Sequence, residues 1–588
     1  MKLRKIYTSA GILLLSLFCI GDAVAKDAKF ETGVSFGSTG ADEPYSSLTD
    51  KDGNYYISGM CRGDVEFAGG ATIKGRGGMD AVIVKYDAEL NFLWARAVGG
   101  SKDDTFERIA VTSAGDIVAV GKISGDVTID GTEQTLSGTQ STDGCIVVYD
   151  KDGNYKSSAQ IKAAGASLCY SVAVDKSDNI FVTGSTVGAT DFGNEKTVTI
   201  EGSNPGTFLA CYNNSLVCQW AIAGSSPVQS YGWAVNFDKE ENILLTGRFG
   251  TTFTITGTDG EALTTAVGSE SSQDTYVAKL SHEGVGQWIT YVTNSNRIDT
   301  RSIDSDSQGN VYIWGHCQSA VTPEGQSPLG FNGNFDSFLI KYSSAGAYLD
   351  GMNLGGSGRD EAKSLFVDAD DNIYVAGNVN GDGSKGGTAV NMNPRGESKD
   401  YTFKGHDGYV AKYNGSTWEL MQLEKTVTPD NANQHEVAWC VTMSPDYNKV
   451  YVTGYFNNGA TVFDGASLTL PFVQDYDIYT VLYSYTLMVK TKTLEPGVAN
   501  EPYYSNIVVD NVEGAVKFEI VSGTLPDGIT LSKDGAFAGT PTKNGPYTFT
   551  VKISDDVSSI QKEYTLVIKS GEGCDVFIVT DQCPDAYI

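Results

Sequence analysis

Histidine is scarce in this 588-residue chain: there are four, His282, His316, His406 and His435, and no two stand at a metal-ligand spacing such as H-x-x-x-H. A zinc centre or a Ser-His-Asp triad would have to be assembled from distant segments. After the first 25 residues no stretch approaches eighteen consecutive apolar residues, so no later segment is expected to cross a membrane as a helix. Helical periodicity is missing as well, which removes the α and α/β classes. Cations are few, 42 Lys and Arg against 72 Asp and Glu, leaving a formal charge of −30. A field of that sign repels nucleic acid and anionic lipid and leaves neither as an expected partner.

What is present points to an exported all-β protein. Residues 1–25 carry a basic start (Lys2, Arg4, Lys5), an apolar run from Gly11 to Ile20 and a small-residue exit at Ala23-Val24-Ala25, the pattern of a secretory signal peptide. Cys19 follows Phe18, where lipoprotein processing needs a small residue, so the expected product is a soluble secreted, periplasmic or outer-surface chain beginning near Lys26. Glycine (68), tyrosine (31) and phenylalanine (24) are abundant, the aromatics falling in alternating Val/Ile/Tyr segments that read as short strands between tight turns. Nine of the ten cysteines lie beyond the signal, an odd number, so at least one is expected to be free or paired with another molecule. Cys211 and Cys218 would face each other if Asn214-Ser215 formed a two-residue turn, as a disulfide or as two buried thiols. Cys574 and Cys583 could close a loop in the tail.

A repeat organises the chain. Seven apolar strands close on glycine, at Gly59, Gly121, Gly184, Gly247, Gly315, Gly377 and Gly454, spaced 62 to 77 residues apart. Before each comes another strand through a turn such as Asp50 to Asn54 or Asp368 to Asn372, whose residues tolerate left-handed backbone angles. A third strand follows, opening with Asp in six units (Asp80, Asp143, Asp274, Asp336, Asp407, Asp477) and Thr207 in the other; a fourth ends at a Gly-rich turn. Four antiparallel strands per unit, seven times, describe a seven-bladed β-propeller. The seventh unit lacks a fourth strand, and Phe30 to Ser38 resembles the missing piece, so the first mature strand is expected to complete the last blade and close the ring.

These segments resemble the bacterial β-propeller repeat family, in which a unit reads as apolar strand, D-x-x-G-N, I-Y-V-T-G, loop, D-A-F-V-x-K-Y and W-x-x-x-x-G-G. The resemblance covers Phe30 to Leu487 and implies the fold, since the family is defined by its repeat and not by an activity. Beyond Leu487, Leu525 to Leu531, Gly535 to Thr542, Gly545 to Asp555 and Glu563 to Ile568 look like the Ig-like modules of bacterial surface proteins. The expected layout is signal peptide 1–25, propeller 26–487, Ig-like β-sandwich 488–570 with Pro496-Gly497 near the junction, and tail 571–588.

No catalytic constellation emerges. Gly33-Val34-Ser35-Phe36-Gly37 matches G-x-S-x-G but lacks the following helix of a nucleophile elbow and is needed as a strand. Asp304 to Gly309 begins like an EF-hand loop, but Gly315 stands where the bidentate Glu is required, so turn chemistry accounts for the acids and calcium is only a minor alternative to no cofactor. The Asp opening each third strand is expected to accept backbone N–H bonds. Arg62-Gly63-Asp64 is an integrin-type tripeptide of a length that chance supplies. The second-to-third connections are long and differ between units, which marks their face as the working one. Tyr401, Phe403, Tyr455 and Phe456 are its contact candidates, against the alternative that they pack within the loops. The expected function is a non-enzymatic binding or adhesion protein that recognises a protein or glycan, with the Ig-like module as spacer or dock. The rival is a carbohydrate-active enzyme, hydrolase or lyase, at the channel mouth: inward-facing acids, His and Arg there would favour it, whereas small and apolar groups would not.

Overall fold

The computed structural model describes residues 28–570 except 68–69, 267–272, 381–387, 398–399, 404–405, 428–434, 458–460, 464–465, 469–474, 486, 490, 492, 511, 513 and 556–558. The expected signal peptide and the tail with Cys574 and Cys583 lie outside the described residues. The architecture is all-β, every named element being a strand.

Each repeat unit forms a four-stranded antiparallel meander. In the first, Glu43–Thr49, Tyr55–Cys61, Asp80–Tyr86 and Phe92–Gly100 pair in chain order. The same order recurs five more times, ending with Glu361–Val367, Ile373–Asn380, His406–Tyr413 and Leu420–Val427. In the seventh, Glu436–Met443, Lys449–Phe456 and Asp477–Ser484 are chain-ordered. The fourth place is taken by Lys29–Phe36, which runs antiparallel to Asp477–Ser484 with Phe36 opposite Ile478 and Lys29 opposite Ser484. Ser35 of the G-x-S-x-G match is thus a ladder residue opposite Tyr479. In the first unit the second and third strands are buried at every position, which is why they read as nearly continuous apolar runs rather than alternating ones.

Adjacent units are tied through their first strands. Ser46 Oγ accepts from Ile109 N (3.4 Å), Ser171 Oγ from Val235 N (3.2 Å) and Ser364 Oγ from Val441 N (3.5 Å). Asn236 donates to Ile303 O (3.3 Å), Asp304 accepts from Val367 N (2.9 Å), and the turn residue Ser113 donates to Asp178 (2.7 Å). The seventh unit is bonded to the first, through Ser47 with Thr442 (2.9 Å) and Thr49 Oγ1 to Met443 O (2.6 Å). Farther out, Trp94 and Trp288 of fourth strands each donate Nε1 to a carbonyl in a turn of the next unit, Lys151 O and Ser344 O, both at 3.1 Å.

The acids at turns bond their own backbone. Asp306 accepts Gln308 N and Asn310 N on one oxygen, and Asn310 Nδ2, Tyr312 OH and Lys341 Nζ on the other. Asp50, Asp175, Asp238 and Asp368 repeat the backbone pair. Such carboxylates have their lone pairs committed to the fold. The Asp at the start of third strands accepts the N–H four residues upstream, Arg76 N to Asp80 (2.7 Å) and Asn332 N to Asp336 (2.6 Å). A second set holds the link between units: Asp104 takes Gly100 N and Ser124 N, and Asp360 takes Gly356 N and Asn380 N.

The long second-to-third connections are spent on the rim. In five units the connection or the strand end leading into it pairs with the previous unit's fourth strand, while those of the first and sixth units form separate two-stranded ladders. Gly224 pairs with Ile255, Lys162 with Asp191, Val98 with Ile129, Val292 with Pro323 and Thr426 with Phe463. These pairings merge the first two units into one ten-stranded sheet, and they cover outer edges that would otherwise template aggregation.

The cross-strand pairing imagined for Cys211 and Cys218 is corrected. The loop runs from Asn213 to Val217, where Asn213 N donates to Val217 O, and Leu216 adopts φ 56°. An irregularity after Cys211 then sets Tyr212 opposite Cys218 and Cys211 opposite Trp220. The two cysteines join different cores, and both are buried free thiols.

A change of core marks the end of the meanders. Tyr485 packs against the seventh unit, whereas Leu487 is buried among Tyr503, Phe537, Phe549, Val551 and Leu566. This second core lies between a four-stranded sheet (Gly497–Val498, Ser559–Lys569, Gly545–Ser554, Lys517–Gly523) and a three-stranded one (Tyr503–Asn506, Ala536–Gly539, Ile529–Leu531). Gly497, expected near the junction, is a strand residue opposite Ile568.

Candidate functional site

The first strand of every unit carries one β-bulge. The register slips at Tyr45, Glu107, Tyr170, Trp233, Arg301, Lys363 and Trp439 in turn. A bulge adds an unpaired residue and re-aims its side chain. All seven line a single cavity of about 90 Å³, joined by Ser46, Ser47, Arg108, Ser364 and Cys440. The slip falls near the start of the strand, where Pro44 meets Gly59, so the cavity opens on the side from which the long connections leave. Ser46, Ser47 and Arg108 also line a larger space of about 300 Å³ walled by Ile109, Ala173, Ala234, Ile303 and Leu365, so the two spaces adjoin among the first strands, and the smaller is called the mouth below.

The closing glycines are the imprint of these bulges. A Cβ at Gly59 would stand 2.0 Å from Glu43 O, at Gly121 1.9 Å from Thr105 O, at Gly247 1.8 Å from Tyr231 O and at Gly454 1.7 Å from Val437 O. The bulged strand leans on its neighbour, and only glycine leaves room.

Three cations and one acid line the mouth. Arg301 lies over the Trp233 ring at 5.3 Å, and Lys363 over Trp439 at 4.2 Å. Tyr170 packs on Trp233 (4.5 Å) and Tyr45 on Trp439 (5.6 Å), so the four aromatics form two braces, one for each cation. Lys363 also pairs with Glu361 at 2.8 Å. Burial would raise the Glu361 carboxyl, but Lys363, His316 and Arg359 hold it well below the usual range. Arg108 reaches across from the second unit toward Arg301 O in the fifth, at 3.5 Å. The Arg301 guanidinium has no hydrogen-bond or ion-pair partner among the described residues, and Arg108 Nε, Arg301 Nε and Trp233 Nε1 are buried donors without an acceptor. Glu107 accepts from Thr105 Oγ1 (2.6 Å), and burial raises its carboxyl.

Behind the lining, Asp299 is fully buried between Arg248 (3.2 Å) and Arg297 (2.7 Å). Burial pushes His316 down to about 4, with Arg301 adding to the effect. His406 and His435 stack at 4.0 Å, and His282 pairs with the turn acid Asp175 at 2.6 Å. None of the four histidines lines the mouth. No group of three or more His, Cys, Asp or Glu able to hold a metal occurs among the described residues.

The sequence-derived candidates fall in different places. Phe403 and Phe456 are fully buried, Phe456 edge-on to Tyr479, so neither presents a contact surface. Tyr401 is half-buried against the sixth unit's core. Tyr455 is half-buried 6.1 Å from Trp439 and 5.2 Å from Tyr476, next to the mouth. Asp64 of the tripeptide is tied to Lys74 at 2.6 Å. The bulge residues were missed although a signal exists: Tyr45 stands fourteen residues before Gly59, the interval repeats through Lys363 and Gly377, and it becomes fifteen for Trp439 and Gly454.

Comparison with known proteins agrees with the two-part layout. Residues 158–193 match the family described as Beta-propeller repeat and residues 480–569 that described as Putative Ig domain, so the chain carries a β-propeller repeat followed by an Ig-like domain. It is 21% identical over 435 residues to an uncharacterised WD repeat-containing protein of Acanthamoeba polyphaga mimivirus. That match takes in 60% of this chain and 31% of the relative, so the chain spans about a third of that protein's length. Among solved structures it is similar to the periplasmic gluconolactonase of Pseudomonas aeruginosa at 10% identity, covering 72% of this chain and 98% of that one, with a TM-score of 0.33. It is also similar to extracellular cadherin domains 3–6 of protocadherin gamma B2, at 12% identity, 68% and 89% coverage and a TM-score of 0.13.

Proposed function

We propose that the chain is an exported, non-enzymatic binding or adhesion protein of a bacterial surface or periplasm, recognising a protein or glycan at the mouth of the channel. In this reading residues 26–487 are a seven-bladed propeller closed by the strand Lys29–Phe36, residues 488–570 are an Ig-like spacer or dock, and residues 1–25 are removed on export. The bonds running from each unit to the next and from the seventh to the first support the ring. The observation that carries the function is the convergence of seven bulge residues on one cavity. A bulge at the same register bends each first strand alike, but the seven re-aimed side chains differ in chemistry, which suits a shared site more than a repeated structural corner.

The rival reading has two observations in its favour, the charged lining of Glu107, Arg108, Arg301 and Lys363 where small and apolar groups would have spoken against it, and the raised carboxyl of half-buried Glu107. Hydrolysis by paired carboxylates needs a second acid within reach, and Glu107 is the one acid lining the mouth. The test is capture from a glycan array and a surface-protein extract by the mature protein and by the Tyr45→Ala/Trp439→Ala double variant. Capture that falls at least tenfold in the variant supports the mouth as the site. Equal capture by both overturns it, and release of cleaved saccharide that stops in Glu107→Gln replaces it with the enzyme.

A further inference from the structure

The mouth contradicts the charge of the molecule around it. The chain carries −30, yet its cavity is lined by Arg108, Arg301 and Lys363 against Glu107 alone. Turn acids and link acids elsewhere have their oxygens bonded, but among the described residues no group accepts from the Arg301 side chain, whose Nε is a buried donor. Placing a guanidinium half-buried and unpaired has a cost that a bound anion removes. The geometry points to a carboxylate as that anion, because the guanidinium fork matches the two carboxylate oxygens.

Ligand shape follows from three further observations. The Trp233 and Trp439 rings already carry Arg301 and Lys363, so they brace cations and are not open platforms for an aromatic or cationic ligand. The cavity of about 90 Å³ admits a carboxylate and its neighbouring atoms, while the remainder of the ligand stays at the opening. Every first strand is bulged where it borders the mouth, which breaks the ladder that an extended peptide would need for strand addition. Glu107 adds an acceptor to the same lining as the cations, suited to the hydroxyl of a compact polyol.

We infer that the mouth binds the carboxylate of an acidic sugar, a uronic-acid unit at a glycan end, with Arg301 as its bidentate partner and Lys363 and Arg108 as flanking cations. The inference rests on the mouth being the recognition site.

Isothermal titration of the full mature chain with D-glucuronate, D-glucose, N-acetylglycine and inorganic sulfate tests it. D-glucuronate is expected to bind at least tenfold tighter than the other three. Arg301→Gln is expected to weaken it at least tenfold, and Arg62→Gln, an exposed arginine outside the mouth, not at all. Glucose binding as tightly as glucuronate overturns the charge assignment while leaving the mouth as the site. N-acetylglycine binding tighter overturns the sugar in favour of a peptide carboxyl end, and equal binding of sulfate reduces the mouth to a general anion receptor. If no probe binds, the inference falls, whereas the mouth itself falls only if the double variant captures partners as well as the native chain.

Discussion

Two features recur at fixed register, the turn acids in five of the seven units and the bulge residues in all seven, and they are built on opposite terms. The turn position holds Asp in five units and a hydroxyl residue, Thr112 or Ser444, in the other two, and its side-chain oxygen is filled by local donors, as at Asp306. The bulge position changes chemistry from unit to unit, Tyr, Glu, Tyr, Trp, Arg, Lys and Trp, and leaves donors at Arg108, Arg301 and Trp233 unfilled. Near-identity with saturated bonding is what a fold requires at equivalent corners. Variation with open bonding is what a single asymmetric ligand requires of a symmetric scaffold.

The sharpest way to break the contrast is to remove a saturated group. Asp306→Ala strips acceptors from Lys341, Tyr312 and two backbone amides at a side chain only 3% exposed. The expected loss is about 3 kcal/mol, from a semi-buried lysine without its partner. Chemical denaturation followed by tryptophan fluorescence reads it, and glucuronate binding should be unchanged in the folded fraction. A loss under about 1 kcal/mol would mean the turn acids are not what holds the hairpins.

The next effect is on pH. Burial raises Asp104 and Asp360 to about 7 against the unfolded 3.8. The folded state therefore holds protons that the unfolded chain releases, so this contribution is complete below pH 3.8 and is lost as pH rises through about 7. Asp238 and Asp306 are shifted down despite their burial, by Lys279 and Asn242 and by Asn310 and Lys341, and act only on the acid side of 3.8. His316 and His406, pushed down to about 4, act in the opposite sense below 6.5 but do so equally in an Asp104→Asn/Asp360→Asn variant, so the thermal midpoint of the native chain should fall between pH 5 and pH 8 relative to that of the variant. A native midpoint that rises relative to the variant's over that interval would reverse the assignment.

A smaller effect tests the seams outside the mouth. Gly346 adopts φ 84°, and a Cβ there would stand 2.7 Å from the Trp288 ring of the preceding unit. Gly346→Ala should cost about 2 kcal/mol, combining backbone strain with displacement of a packed ring. Because Trp288 also donates to Ser344 O, a quenched or shifted indole emission should accompany the loss.

Fold and site differed in how far they could be read from sequence. The repeat, its turns and the N-terminal strand paired with Asp477–Ser484 were legible because hydrophobic alternation and turn chemistry are local. The long connections pointed to the side on which the cavity opens but not to its lining, since several of their backbones extend neighbouring sheets, a non-local pairing that composition does not announce. Phe403 and Phe456 were chosen for lying on them and proved to be core. The mouth was recorded only indirectly, in glycines whose need comes from the strand beside them. Cys211 and Cys218 show the same limit, since one irregularity in a five-residue loop moved them to separate cores.

The smallest expected stability effect falls on the residue with the largest expected binding effect. Arg301→Met keeps a long side chain over Trp233 and removes a guanidinium that no protein group bonds. A cation in that position carries a desolvation cost with no direct ion pair, offset in part by the buried Asp299 carboxyl that its charge helps to lower, so its loss should leave stability within about 1 kcal/mol of native. Asp299 keeps Arg248 and Arg297 within 3.2 Å, so no acid is stranded by the change. Measured beside Asp306→Ala in the same denaturation series, the pair should dissociate cleanly, one variant unstable and competent, the other stable and unable to hold glucuronate. If Arg301→Met instead costs about 2 kcal/mol or more, the guanidinium is a structural member of the ring, and the contrast between filled corners and an open mouth is wrong.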